Sequence, residues 1–317
     1  MVFPPEWATW NINQRMAFLA YIGAPQLERD AALKEWMSQE YGQLAGYLDH
    51  PELGPLLQQA GREGWTRERL QAELGKTTFW HTTTESQRTF DLQTQMDPAT
   101  AESKIAQMAG NISTILGREG VAGQYTPERI RNLSIDLLRN GVPADQVPQF
   151  VLADVTYRPT SPVGTMGQNV ARVKQRAAEY VVPLSDEAAF EWGKQLSMGT
   201  VTADGVDEYL RQQAKSRFGH LTADIDRGFT TKQLFDPYIQ QTAQLLEKSP
   251  DEINLLDPTY TKMIDSIDAD TNERRAMTLS EAATTVRSMD AYQTTRQATS
   301  GAAQLGEAIL QTFGEVR

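Results

Sequence analysis

Carboxylates are the residues of this chain best suited to chemistry. Glu85-Ser86, with Phe90 soon after, offers a glutamate that could act as the general acid of a glycoside-cleaving site. Such a site needs two placed carboxylates, one with its pKa raised so that it can protonate the leaving oxygen. At the same position Thr84-Glu85-Ser86-Gln87 reads as a capping box one residue wide of perfect register, and capping a helix from Glu85 to Met96 is the better account. Asp268, Asp270 and Asn272 match the opening of a calcium loop, which presents oxygen ligands at alternate positions. Glu273 stands where that loop needs glycine, and Leu279 where it needs its closing glutamate, so an acidic solvated turn is expected instead. His50, His81 and His220 lie too far apart for metal-ligand spacing and read as turn or cap residues. Neither a phosphate-binding glycine loop nor a nucleophile elbow occurs. No catalytic, cofactor-binding or metal-binding residue is assigned, and no cofactor is expected.

Binding is the other chemistry on offer. Trp7, Trp10, Trp65, Phe79 and Trp80 form the candidate interaction patch, because tryptophan is enriched where partners dock. The competing expectation is that large aromatics in a helical array are core. Thirty basic against forty-one acidic residues leave a net charge of −11, which repels a phosphate backbone unless the cations are segregated. The one basic cluster, Arg172, Lys174 and Arg176, has the spacing of a solvated helix face. No sequence-specific nucleic acid is expected as a partner, although an acidic protein can line a channel through which DNA passes without sticking. The longest apolar run, Met16 to Ile22, is too short to span a bilayer, and the start of the chain lacks a secretory signal. The expected product is made in the cytoplasm and not exported on its own. With no cysteine, its stability must come from packing.

Helices have to position all of these residues. A short phrase recurs: an amphipathic stretch, a glycine, an apolar residue, then Thr or Pro before a second amphipathic stretch. It appears at Gly64-Trp65-Thr66, Gly141-Val142-Pro143, Gly199-Thr200-Val201-Thr202 and Gly228-Phe229-Thr230. Glycine can close a helix in the left-handed conformation, and Thr or Pro can open the next one. Asp97-Pro98, Asp236-Pro237 and Asp257-Pro258 read as further helix starts. An all-α fold of two helical-hairpin domains is therefore expected, with a small β-hairpin near 262–279. The first domain covers 1–155 and the second 170–317. Between them, 156–169 is read as a linker, since Tyr157 to Gly167 holds two prolines and two glycines. The last helix has only a thin apolar stripe, Ala298, Ala302, Leu305, Ile309 and Phe313, enough for one neighbour in this chain or another copy.

Pro51-Glu-Leu-Gly-Pro-Leu-Leu-Gln-Gln-Ala60, Gly64-Trp-Thr-Arg-Glu-Arg-Leu70 and Thr77-Thr-Phe-Trp80 resemble a helical module of virion-associated proteins of tailed bacteriophages, especially those of actinobacterial hosts. Gln213 to Phe218, Phe235-Asp-Pro-Tyr238, Asn254 to Pro258 and Ile309 to Gly314 are similar to the same group. The resemblance covers most of 51–314 and is one of phrasing, without a diagnostic motif, so it carries over no functional residue. It implies a non-enzymatic tail or internal structural protein of the virion, in several copies near the portal or tail axis. The implied partners are other copies of itself and phage tail or portal-region proteins. Two other functions compete with this one. A particle-carried peptidoglycan hydrolase would use Glu85 as acid, and Glu85-Ser86 resembles the Glu-Ser pair of lytic transglycosylases, without the Gly-Leu-Met-Gln type segment that should follow. A cytoplasmic helical adaptor would dock a peptide on the region from Trp65 to Trp80.

Overall fold

A helix start leaves N–H groups unpaired, and a hydroxyl or carboxylate just ahead of it can accept from them. The chain uses this device repeatedly. The computed structural model describes residues 4–158 and 163–314; Pro159 to Pro162 of the expected linker lie outside the described residues. The chain is 72% helical, and its described sheet is one two-stranded hairpin, so the fold is all-α. It divides into two compact units, Met1–Asp154 and Val155–Arg317.

The first unit runs through α1 (Ile12–Tyr21), α2 (Gln26–Tyr41), α3 (Leu53–Glu63), α4 (Arg67–Leu74), α5 (Thr78–Thr82), α6 (Glu85–Met96), α7 (Pro98–Glu119), α8 (Pro127–Arg139) and α9 (Val147–Ala153). Asn11, Thr66, Thr77, Thr84, Asp97 and Thr126 each cap the helix that follows. Met37, Leu53, Leu57, Ala60, Leu70 and Leu74 are fully buried in one cluster that joins α2, α3 and α4. Above it the Tyr41 hydroxyl faces the carbonyls of Ala60 at 3.2 Å and Trp65 at 3.0 Å, which ties α2 to the α3–α4 turn. Ahead of α1, the short turn Pro5–Thr9 is held by Arg15, which is only 2% exposed. Arg15 Nε donates to the Trp10 carbonyl at 3.1 Å and Nη2 to that of Ala8 at 3.0 Å, and its guanidinium lies over the Trp7 ring.

The second unit contains α10 (Thr165–Glu179), α11 (Asp186–Met198), α12 (Ala203–Arg217), α13 (Thr222–Asp226), α14 (Thr231–Leu246), α15 (Pro258–Thr261), strands β1 (Ser266–Ile267) and β2 (Arg274–Arg275), α16 (Leu279–Arg287), α17 (Asp290–Gln293) and α18 (Arg296–Gly314). The strands pair antiparallel, Ser266 with Arg275 and Ile267 with Arg274, within the span expected to hold a hairpin. Helices α10 and α11 pack closely, while α14 packs on α16. Phe190, Leu210, Phe218, Ile225 and Phe235 are buried in this unit.

Gly64, Gly199 and Gly228 hold positive φ, and Thr66, Thr202 and Thr230 cap the following helices as the recurrent phrase requires. Some boundaries differ from expectation. After Gly141 the helix resumes only at Val147, with Pro148 in its first turn, where a missing N–H costs nothing. Pro237 does not start a helix. Thr230 and Gln233 form a reciprocal capping box that begins α14 earlier, and Pro237 is carried inside it, leaving the Gln233 carbonyl without its usual N–H partner. Residues 165–169, expected in the linker, belong to α10; Gly167 is tolerated in a first turn, whose N–H groups have no earlier carbonyl to meet. The box at Thr84 is in perfect register, with Gln87 returning the bond to the Thr84 N–H.

Helices α10 and α11 approach so closely that a Cβ on Gly193 would lie 2.5 Å from Val170 Cγ2 and 2.9 Å from the Val170 nitrogen. Gly193→Ala should destabilise the second unit by roughly 1–3 kcal/mol, the usual range for overpacking a core. Scanning calorimetry of the full chain measures this, and an unchanged melting temperature would sink the close approach.

Candidate functional site

A concavity of the first unit flanks α6. A cavity of about 680 Å³ is lined by Lys34, Asp49, His50, Gln95 and Met96, among others, and a second of about 480 Å³ shares His50 and Gln95 with it. The second is lined also by Tyr47, Phe79, Phe90, Asp91, Ile135 and Arg139. Both volumes lie in the range of small-molecule sites. His50 sits at the junction because it opens α3: its Nδ1 accepts from the N–H of Leu53 at 3.2 Å and of Glu52 at 3.3 Å. An accepting Nδ1 leaves the proton of the neutral ring on Nε2. The ring packs against Phe79, centroids 4.6 Å apart, and Phe79 in turn meets Tyr47. Phe79 is fixed by Glu52, whose carboxylate oxygens accept from the N–H groups of Thr78 at 2.6 Å and Phe79 at 2.9 Å. Those bonds, Phe79's first, hold the Glu52 carboxyl below its ordinary range.

Charges at this groove are already paired. Lys34 meets Asp49 at 2.7 Å and Arg139 meets Asp91 at 3.0 Å. Burial, then the nearby Asp91 charge, pushes the Tyr47 hydroxyl up to about 12, against the opposing pull of Arg88. That hydroxyl donates to the Arg88 carbonyl at 2.8 Å and so serves as a neutral donor. The arrangement offers an aromatic floor and neutralised polar edges, which suits an uncharged ligand better than an anion.

The five aromatics of the expected patch have different neighbours. Trp7 and Trp10 form a half-buried cluster with Phe18. Trp65, 7% exposed, belongs to the core of the first unit; its indole N–H donates to Glu63 at 2.7 Å and Arg69 covers its ring. Trp80 lies under the Arg88 guanidinium, while Phe79 faces His50. For Trp65 the core expectation therefore describes the structure, and the other four are half-buried against their own units.

Glu85 is an exposed first-turn residue of α6 and lines a cavity of about 380 Å³ with Ser86, Thr89, Phe90, Gln93, Lys104, Leu138 and Gly141. It is the one carboxylate among those lining residues, so the paired arrangement of glycoside hydrolysis is not met there. At the acidic turn, Asp268 accepts from the N–H groups of Asp270 and Thr271 and pairs with Arg275 at 2.6 Å. Arg275 also grips Glu281, the partner of Thr278 in the box that starts α16. A guanidinium thus already occupies the Asp268 carboxylate that a calcium ion would need. Among the described residues no group of three or more His, Cys, Asp or Glu side chains could hold a metal. His220 Nε2 donates to the Ile264 carbonyl at 3.0 Å, a role that steadies the hairpin. Two members of the basic cluster are paired: Lys174 with Asp186, and Arg176 with Glu179 and, in a two-pronged bond, with Asp207. No described helix is long and apolar enough to cross a membrane.

Tyr47, Asp91, Arg139 and Gln95 were not singled out from sequence. Three separate segments bring them together, and the only local signal was the helix break at Asp49-His50-Pro51. No protein family, curated protein or solved structure matches this chain.

The Arg275 network carries a pH signature. Arg275, first, and then neighbouring N–H groups hold both Asp268 and Glu281 down to about 2. Carboxyls depressed on folding contribute stability that is complete above their ordinary values and lost as the pH falls through the depressed ones. The amide of Thr278, which donates to Glu281 at 2.7 Å, should therefore titrate with a midpoint near 2 in an NMR pH series. A midpoint at the ordinary glutamate value would overturn the network, as would a shift of the hairpin amides when calcium is added.

Proposed function

We propose that this protein is a non-enzymatic structural component of a tailed-bacteriophage virion, assembling in several copies near the portal or tail axis. The observation that carries the reading is α18. It is a 19-residue helix whose Leu305 and Ile309 are 64% and 48% exposed. Isolated helices are marginal in water and draw most of their stability from packing an apolar face. An exposed apolar stripe on a folded unit is thus a surface for assembly. The resemblance over most of 51–314 names the kind of assembly, and the helical-hairpin construction agrees with it. A net charge of −11 suits a component that must not retain DNA passing beside it. On this reading the chain is made in the host cytoplasm and ends in the virion, with tail or portal-region proteins and other copies of itself as partners.

Of the alternatives, the hydrolase is favoured only by Glu85 at its cavity, and the adaptor is weakened by the burial of Trp65. The test is to purify particles of the phage that encodes the chain and label them with an antibody against it. Labelling at the tail-bearing vertex is expected; absence of the chain from purified particles would refute the proposal. A peptidoglycan zymogram supplies the second arm. No clearing is expected, and clearing by the wild type that Glu85→Gln abolishes would favour the hydrolase.

A further inference from the structure

We propose that α18 is a self-pairing helix, through which two copies of this chain join antiparallel about Leu305. The proposal rests on the reading that the chain assembles in copies, and on nothing about where in a particle it sits.

The base of α18 is firmly set. The Glu247 carboxylate accepts from the Gln297 N–H at 3.1 Å, and the Thr295 hydroxyl, on a residue only 5% exposed, accepts from the Ala298 N–H at 3.2 Å. Beyond that base, Gly301, Leu305 and Ile309 follow at four-residue steps along one face, with both large side chains in solvent. At Gly301 an added Cβ would meet nothing within 4 Å. Glycine also weakens a helix interior, so Gly301 lowers the stability that α18 has on its own.

Three features select a second copy as the cover. The first is charge. The chain carries −11, so two copies repel over most of their surfaces. Between 296 and 314 the only charged residues are Arg296 and Glu307, which cancel. The second is shape. In an antiparallel pair with Leu305 on the two-fold axis, Leu305 meets Leu305 and each Ile309 falls opposite the other copy's Gly301. A large side chain then faces the open space over a glycine, twice by symmetry, as an isologous interface requires. The third is electrostatic. The same register sets the two Arg296 side chains at opposite ends of the pair, away from each other's like charge. A parallel pair would put Arg296 beside the positive end and would stack Gly301 on Gly301, leaving a gap.

The full chain has no cysteine, which allows a direct test. Copies carrying Gly301→Cys are mixed with copies carrying Ile309→Cys and oxidised. The disulfide between the two variants should dominate, and predominance of same-variant disulfides would overturn the antiparallel arrangement. Sedimentation of the unmodified chain over about a hundredfold concentration range should show a dimer. Leu305→Asp should weaken it about thirtyfold or more, with helix content by circular dichroism unchanged because Leu305 is exposed in the single copy. Gly301→Ile should also weaken it, although this change favours the helix itself. Association that survives Leu305→Asp, or no association at all, refutes the pairing. A chain that stays monomeric yet is found in particles overturns the pairing and leaves the proposed function standing. One that pairs through α18 but is missing from particles supports the pairing and removes the virion.

Discussion

Unpaired N–H groups at helix starts are the constraint on which this structure depends. A fold made of many short helices has many such starts, and each would leave donors unsatisfied without an oxygen placed ahead of it. The chain supplies these oxygens with Thr66, Thr77, Thr84, Thr126, Ser185, Thr202, Thr230 and Thr278. Because the cap sits immediately next to the helix, the connections can be short. Short connections hold successive helices against one another, and that packing buries the clusters of leucine, valine and aromatic side chains. At some starts a further side chain joins in, beside the local Thr77 of α5 and the local Thr295 of α18. His50 caps α3, Glu52 caps α5 from another segment, and Glu247 caps α18.

Those further caps mark the limit of what the sequence discloses. Local caps obey a fixed spacing, so the all-α class, most helices and three of the four glycine turns could be read directly. Glu52 reaching Thr78 has no spacing to betray it, because the pairing is made by the tertiary fold. Pro237 misled for a related reason. Asp-Pro is a helix-start signal, yet the box at Thr230 and Gln233 had already opened α14, and packing of its buried residues Phe235, Ile239 and Leu246 outweighs one lost backbone bond. The groove beside α6 was illegible on the same ground. Its lining comes from α2, the Asp49-His50 turn, α6 and α8, and no one of these carries a motif.

Electrostatics follow the same logic of local satisfaction. Arg131 pairs with Glu102 from α8 to α7, Arg139 with Asp91 from α8 to α6, and Arg176 with Asp207 from α10 to α12. Each such pair near the surface contributes little to stability by itself. Their collective effect is on recognition. A cation paired in this way has little charge left to offer a partner, and the chain as a whole carries −11.

The buried Arg15 has a consequence of another kind. Its guanidinium lies in the interior of the first unit, held by the carbonyls of Ala8 and Trp10 and by the face of Trp7. All three come from the short stretch ahead of α1, so that stretch works as a latch. If it lifts, a charge in the interior loses its solvation, and the cost of that falls on the whole unit rather than on a fraying end. Cleavage just before Ile12 would in this way act as a mutation of the core, although every bond it removes involves the short stretch ahead of α1.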